Sequence, residues 1–319
     1  MAPNFFPSEP GSLDHIVVIP SEPGSLGELG RRANMCTVIS IINNKGGVGK
    51  TTSTAVIAEL LAYLNQKVLV IDLDQQSNVS MMLGAYVEDS KEVLNNMEPP
   101  VFLNISEIFK YRYRDRNDVL QTIHSTKIGH LDIIPSSNRH RNTQLNIASN
   151  ATGNNNIILK KAIATIRENY DFILIDNAPA NDVLTVNSMF ASDIVYVPVC
   201  VEEFSYKGLR ETIDTILYIK DEHDLEQLQF GGAFITKAEG NTNSYRSGEQ
   251  KFQEALGYKL FQTPIRKDVK MIEIAQQFRP VLEYCPDTNA VFDYANLILE
   301  MKILDESSTL LLQKSIGQA

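Results

Sequence analysis

Asn44-Lys45-Gly46-Gly47-Val48-Gly49-Lys50-Thr51-Thr52 decides how this chain is read. Before it, Thr37–Ile42 is a short unbroken apolar run, the mark of a strand buried on both faces. After it, Ala55, Ile57, Ala58, Leu61, Ala62 and Leu64 recur at helical spacing. A glycine-rich turn between a buried strand and a helix is the setting of a phosphate loop. Gly46, Gly47 and Gly49 let backbone N–H groups, those of Val48 and Thr52 among them, turn toward phosphate oxygens. The helix N-terminus adds the positive end of its dipole. Lys50 brings a point charge to the outer phosphates of ATP, and Thr51 a hydroxyl to Mg²⁺. The pattern departs from GxxxxGK[ST] in one respect. Asn44 stands where the first glycine belongs, and an added lysine, Lys45, opens the loop.

Outward from the loop, strand and helix alternate. Strands are expected at Lys67–Ile71, Leu131–Ile134, Phe172–Ile175, Ile194–Val199 and Phe230–Thr236. Helices are expected at 104–112, 116–123, 156–169, 183–191, 206–222, 245–256 and 288–304. Repeated βα units imply an α/β fold: a doubly wound, mostly parallel sheet with helices on both faces, as in P-loop nucleotide hydrolases. The chain of 319 residues is long enough for one large domain of this kind, placed at 35–304, with residues 305–319 as a C-terminal tail. Residues 1–34 repeat the string PSEPGSL and are rich in Pro, Ser and Gly. They bury too little to offset their ordering entropy and are expected to be a disordered leader, a tag or a misassigned start.

Composition removes several functional classes. The net charge of −10 argues against a protein coated all over with nucleic acid, though not against a local basic patch. Cys36, Cys200 and Cys285 are scattered and form no CxxC, which speaks against a disulfide framework or a zinc site and for a reducing cytoplasm. No histidine pair has metal-ligand spacing. No apolar run is long enough to span a membrane, so no membrane partner is expected.

Two acidic positions complete the site. Asp72 and Asp74 follow the strand Lys67–Ile71 and so emerge at the carboxyl edge of the sheet, where open α/β sheets bind ligands. Asp176 ends the run Phe172-Ile173-Leu174-Ile175, a Walker B pattern whose carboxylate holds Mg²⁺, most simply through water.

The loop KGGVGKTT, the stretch Asp72-Leu73-Asp74-Gln75-Gln76-Ser77-Asn78 and the Asp176 strand together resemble the deviant Walker A ATPases, whose members include ParA and MinD. The resemblance covers most of 35–304. It implies ATP and Mg²⁺ as cofactors, slow ATP hydrolysis stimulated by a partner, and a homodimer that closes on ATP. It also implies that Lys45 crosses the interface to the partner's phosphates, that Asp74 positions the attacking water, and that Asp72 supports the metal region with Thr51 and Asp176. By the same likeness Thr263-Pro264-Ile265-Arg266 frames adenine, with Thr236 and Lys237 beside it. Gln75 and Ser77 replace the family's proline and glycine, and Asn177 and Ala180 depart from its Walker B loop.

Within the family, an iron–sulfur role lacks paired cysteines, and a MinD-like membrane-cycling role lacks a basic amphipathic C-terminus, since only Lys314 is basic in the tail. The ParA-like reading implies non-specific DNA binding, a ParB-like centromere-binding partner, plasmid or chromosome segregation, and a cytoplasmic, nucleoid-associated place in a prokaryote. Between Lys237 and Arg279 stand eight basic and five acidic residues, a basic stretch in an acidic chain. Arg246, Arg266, Lys267 and Lys270 are its candidate DNA contacts, and the run Lys110–Arg116 is a second candidate.

Overall fold

In a computed structural model of the chain, the described residues are 36–85, 103–110, 115–136, 155–202, 205–240 and 242–317. In chain order they form β1 (Thr37–Ile41), α1 (Lys50–Tyr63), β2 (Val68–Asp72), α2 (Asn78–Met82), α3 (Ile105–Lys110), α4 (Arg116–Leu120), β3 (His124–Ser125), β4 (Leu131–Ile134), α5 (Ile158–Ala164) and β5 (Phe172–Asp176). There follow α6 (Val183–Ala191), β6 (Ile194–Cys200), α7 (Ser205–Glu222), β7 (Gln229–Thr236), α8 (Asn243–Leu256), α9 (Val269–Gln276), α10 (Val281–Tyr284), α11 (Asn289–Met301) and α12 (Glu306–Gly317).

The strands lie in the order β3-β4-β2-β5-β1-β6-β7. Every neighbouring pair is parallel except β3 with β4. This is the doubly wound α/β sheet that the sequence implied. Its strands read as continuous apolar runs because both faces are covered. Ile39 and Ile41 of β1 pack into the cluster of α1 and α11, whereas Val38 packs into the opposite cluster with α3 and α5. Farther along, Val195, Val197 and Val199 of β6 pack under α7 and α8.

The folded chain departs from these expectations in places and adds detail in others, and the helix expected at 116–123 ends at Leu120. The helix expected at 156–169 is shorter, with α5 bracketed by 3₁₀ turns at Asn155–Ile157 and Arg167–Asn169. The Asn187 side chain, which accepts from Leu159 N–H at 3.2 Å and donates to the Asn155 carbonyl at 2.8 Å, fixes that entry. The segment 305–319 contains α12, which seats Leu312 in the cluster of α1 and joins Gln66 through Ser308 at 3.0 Å. The segment around 260–266 runs beside β7, with Phe261 N–H donating to the Ala233 carbonyl at 2.9 Å and Ile265 N–H to that of Ile235 at 2.8 Å. The leader 1–34 and residues 111–114 of the basic-aromatic run lie outside the described residues.

A buried acid ties α1 to the C-terminal part of the chain. Glu59 is 1% exposed and accepts from the N–H groups of Val281 at 3.0 Å and Leu282 at 2.7 Å. It performs the capping that Pro280, at the N-cap of α10, cannot. Burial pushes its carboxyl from 4.5 to about 7, against the lowering effect of the two N–H groups. A carboxyl that holds its proton more tightly when folded contributes stability at low pH. That contribution is lost as pH rises from the unfolded value through about 7. Stability in urea is therefore expected to decline between pH 5 and 8, with a shallower decline in Glu59→Gln. At pH 5 the variant should be weaker by about 1–3 kcal/mol, because its amide can accept only one of the two N–H groups. An unchanged pH slope in the variant would assign the titration to another group.

Candidate functional site

The site forms where β1, β2 and β5 end together. Ile41 pairs with Asp176 across β1 and β5, and Asp72 pairs with Asp176 across β2 and β5. This register sets two carboxylates side by side at the carboxyl edge, directly beside the loop that leaves β1.

The loop itself is organised by left-handed backbone. Gly47 has φ 76° and Gly49 φ 84°, conformations that glycine adopts without steric cost. Gly49 is the N-cap of α1 and provides no side-chain cap. By contrast Asp115, Asp182, Thr242 and Asp268 cap α4, α6, α8 and α9 through their side chains. The N-terminal donors of α1 are thus left by side chains for an anion, in keeping with phosphate binding. Asn43 anchors the loop entry, accepting from Lys45 N–H at 2.8 Å and donating to the Pro198 carbonyl at 2.8 Å.

Lys50 is 6% exposed, and its ammonium donates to the Lys45 carbonyl at 3.1 Å. Burial lowers its pKa, while Asp176 and Asp74 oppose that loss of charge. Asp176 is fully buried, and desolvation raises its carboxyl, with Asp74 adding to the rise and Thr51 and Lys50 working against it. The Thr54 hydroxyl donates to Asp176 Oδ1 at 3.4 Å, and the Thr51 hydroxyl favours the ionised carboxylate. Asp176 Oδ2 is buried with no hydrogen-bond partner among the described residues. Asn44, Ser77 and Asn177 also bury side-chain polar atoms without partners around the same strand ends. A hydroxyl, an orphaned carboxylate oxygen and a nearby second acid are hard oxygen donors. They fit Mg²⁺, which takes one or two carboxylates and fills its remaining positions with water and phosphate. Among the described residues no cluster of three or more His, Cys, Asp or Glu forms a closed metal cage.

The structure separates the two acids of the β2 loop. Asp72 is fully buried and spends both oxygens on the chain: Oδ1 accepts from Asp74 N–H at 2.9 Å, and Oδ2 from Ser80 N–H at 3.1 Å and the Ser80 hydroxyl at 2.6 Å. Desolvation, with Asp176 next, raises it well above the carboxylate range. Its visible role is to shape the loop that carries Asp74. The Asp74 carboxylate accepts only from Gln76 N–H, at 2.9 Å on Oδ1, among the described residues.

Lys45 Nζ lies 2.6 Å from Glu202 Oε2, two residues beyond the end of β6. Glu202 belongs to no motif in the sequence. Its one signal is that of an acid two residues beyond a buried strand, at the same carboxyl edge. Thr236 and Lys237 lie beside the strap at 263–266, where Ile265 N–H donates to the Ile235 carbonyl and Ala238 N–H to that of Ile265. Their side chains reach the phosphate loop as well. The Thr236 hydroxyl donates to the Val48 carbonyl at 2.9 Å and Lys237 Nζ to that of Gly47 at 2.6 Å. The reason is the adjacency of the loop to the end of β7, a tertiary contact.

Pro264, Ile265 and Arg266 lie on the strap beside β7. Arg266 grips Asp293, with Nε at 2.8 Å and Nη2 at 2.6 Å from its oxygens, and Lys267 pairs with Glu239. Two of the four proposed DNA cations are therefore neutralised within the chain, while Arg246 and Lys270 are exposed.

A left-handed glycine loop at the end of β1, an uncapped helix start, a buried lysine and a strand-end aspartate define a P-loop nucleotide hydrolase. The chain belongs to the ParA family of these ATPases, and residues 36–230 match the AAA domain family. It is 29% identical over 270 residues to the sporulation initiation inhibitor protein Soj of Bacillus subtilis, across 84% of this chain and 98% of Soj. With the chromosome partitioning protein ParA of Caulobacter vibrioides it shares 28% over 275 residues, across 84% and 95% of the two chains. Both alignments span nearly the whole relative, so a complete domain is shared. A Borrelia burgdorferi protein assigned to plasmid partition, solved with AMPPNP, superposes with a TM-score of 0.65 at 25% identity, covering 83% of this chain and 98% of that one. McdA of Cyanothece, solved with ATP, shares the fold at TM-score 0.68 and 21% identity, over 85% and 98% of the chains. No helix among the described residues is long and apolar enough to cross a membrane.

Replacing Lys50 by Ala is expected to weaken ATP binding by at least about 2–3 kcal/mol, since the phosphates lose their buried cation. Calorimetry that returned wild-type affinity would remove Lys50 from the phosphate site.

Proposed function

We propose that the chain is an ATP-switched partition ATPase. It binds ATP and Mg²⁺ at the phosphate loop, closes into a homodimer on ATP, and in that state grips DNA without reading sequence. A ParB-like centromere-binding partner then stimulates slow hydrolysis and releases it, moving a plasmid or chromosome in the prokaryotic cytoplasm. The relatives named for chromosome partitioning support this reading. The observation that carries it is the placement of two lysines in one loop. Lys50 is buried at the phosphate cradle, whereas Lys45 is partly exposed and paired with the exposed Glu202. A lysine so placed suits action across a dimer interface, where added positive charge stabilises charge developing on a partner's phosphates.

In this reading Gly46, Gly47, Val48, Gly49 and Thr52 supply backbone donors, and Lys50 binds the outer phosphates. Thr51 and Asp176 hold Mg²⁺, which when bound neutralises phosphate charge. Asp72 fixes the turn that aims Asp74, and Asp74 orients the attacking water. Pro264 and Ile265 frame the base, with Arg266 holding that strap to Asp293. Arg246 and Lys270 supply the phosphate contacts to DNA, and dimer closure multiplies them by bringing two copies to one surface. The membrane-cycling alternative is the weaker reading, because α12 turns Leu312 into the body and carries a single base, Lys314.

Light scattering and fluorescence anisotropy, each with ADP and with ATP, test the switch. Non-specific duplex DNA and anionic liposomes are offered in parallel. ATP-dependent DNA binding alone supports partition; liposome binding alone would overturn it. Asp74→Ala should keep ATP binding and the ATP-dependent dimer while phosphate release falls to background. A variant that stays monomeric with ATP would contradict separate binding and water-positioning groups. Lys270→Glu or Arg246→Glu should weaken DNA binding with ATP and reduce its salt slope by about one for each DNA phosphate no longer neutralised, leaving ATP affinity intact. DNA affinity unchanged in both variants would place the DNA surface elsewhere.

A further inference from the structure

We propose that the end of β7 is a clamp that aims two backbone donors of the phosphate loop, so that Lys237 and Thr236 act on the polyphosphate rather than on the base. The proposal rests on the nucleotide reading above and assigns these two residues a role within it. Lys237 Nζ lies 2.6 Å from the Gly47 carbonyl, and the Thr236 hydroxyl lies 2.9 Å from the Val48 carbonyl, against 3.2 Å to the Val199 carbonyl. In a trans peptide the C=O of one residue and the N–H of the next point in opposite directions. Pulling the Gly47 carbonyl toward Lys237 therefore directs Val48 N–H the other way. Pulling the Val48 carbonyl toward Thr236 directs Gly49 N–H the other way. Two consecutive donors are so turned toward the concave side of the loop, where an anion is held by successive N–H groups.

Three further observations bear on the clamp. Lys237 has φ 52°, a conformation that side-chain-bearing residues rarely adopt, and the backbone holds it there at the point where its ammonium reaches the loop. A Cβ added to Gly49 would meet Thr236 Cγ2 at 3.7 Å, so the strand end and the loop are in direct contact. Cys200 Sγ, 3.3 Å from Thr236 Oγ1, is placed to donate to that oxygen while the hydroxyl hydrogen is committed to a carbonyl. The effect is preorganisation: the donors are aimed before the phosphate arrives, and binding need not reorder them.

The test compares ADP with inorganic tripolyphosphate, each with Mg²⁺, by calorimetry on full-length protein carrying Lys237→Met, Thr236→Val or Thr236→Ser. The valine variant removes the hydroxyl at nearly constant shape, and the serine variant restores it. Lys237→Met and Thr236→Val are expected to weaken both ligands by the same factor, about tenfold. Thr236→Ser should return to wild type. In the ligand-free protein, the backbone amide resonance of Val48 should move in Lys237→Met and that of Gly49 in Thr236→Val. A merely structural loss would lower melting temperature and leave these resonances in place. Weaker ADP binding with unchanged tripolyphosphate binding would overturn the clamp in favour of a base contact. Unchanged affinity for both ligands would overturn it outright. A wild-type protein that bound neither ligand would sink the nucleotide reading itself.

Discussion

Lys50 is a buried cation facing buried acids, and the rest of the site depends on that opposition. Burial disfavours the ammonium of Lys50 and the carboxylate of Asp176 alike, while each favours the charged form of the other. Asp74 adds a further negative group to the field on both. Such an arrangement is expensive to hold without additional partners. Asp176 Oδ2, unpartnered among the described residues, and the uncapped start of α1 are the two places where partners would enter, one for a cation and one for an anion. A nucleotide triphosphate with Mg²⁺ carries both charges side by side. In that sense the electrostatics of the fold already describe the ligand.

The strands decide where these charges stand. β5 lies between β1 and β2, and its register brings Asp72 and Asp176 level with each other and with the end of β1. The β2 loop then divides its labour: Asp72 is consumed by Ser80 and the Asp74 amide, and Asp74 is presented. Around this core the outer strands contribute from their own carboxyl ends. β6 leads to Glu202, which holds Lys45, and β7 supplies Thr236 and Lys237 to the phosphate loop. Each of these arrivals is a strand end, as expected for a parallel sheet whose ligand edge is common to all its strands.

The charged surface shows why counting residues is a poor guide to a binding face. The stretch from Lys237 to Arg279 is basic by composition, yet Arg266 and Lys267 are taken up by Asp293 and Glu239. Arg266 works as a fastener, joining the strap beside β7 to α11. Arg246, Lys251, Lys270 and Arg279 of the same stretch are exposed, so the surface charge there is smaller than the count of bases suggests.

The sequence by itself determined the α/β class, the phosphate loop and the strand-end aspartates, because each is a local signal. Continuous apolar runs report burial on both faces, glycines report backbone freedom, and a GKT at a strand–helix junction leaves few alternatives. Tertiary structure alone decided the rest. The sequence could not say that Asp72 is spent on Ser80, that Lys45 meets Glu202, or that Lys237 reaches the Gly47 carbonyl. Nor could it show that Glu59 caps α10 from within α1. Those interactions join residues from 8 to 223 positions apart, and they depend on strand order and register. No spacing within a single element encodes them, so they exist only once the sheet has closed its ends around the loop.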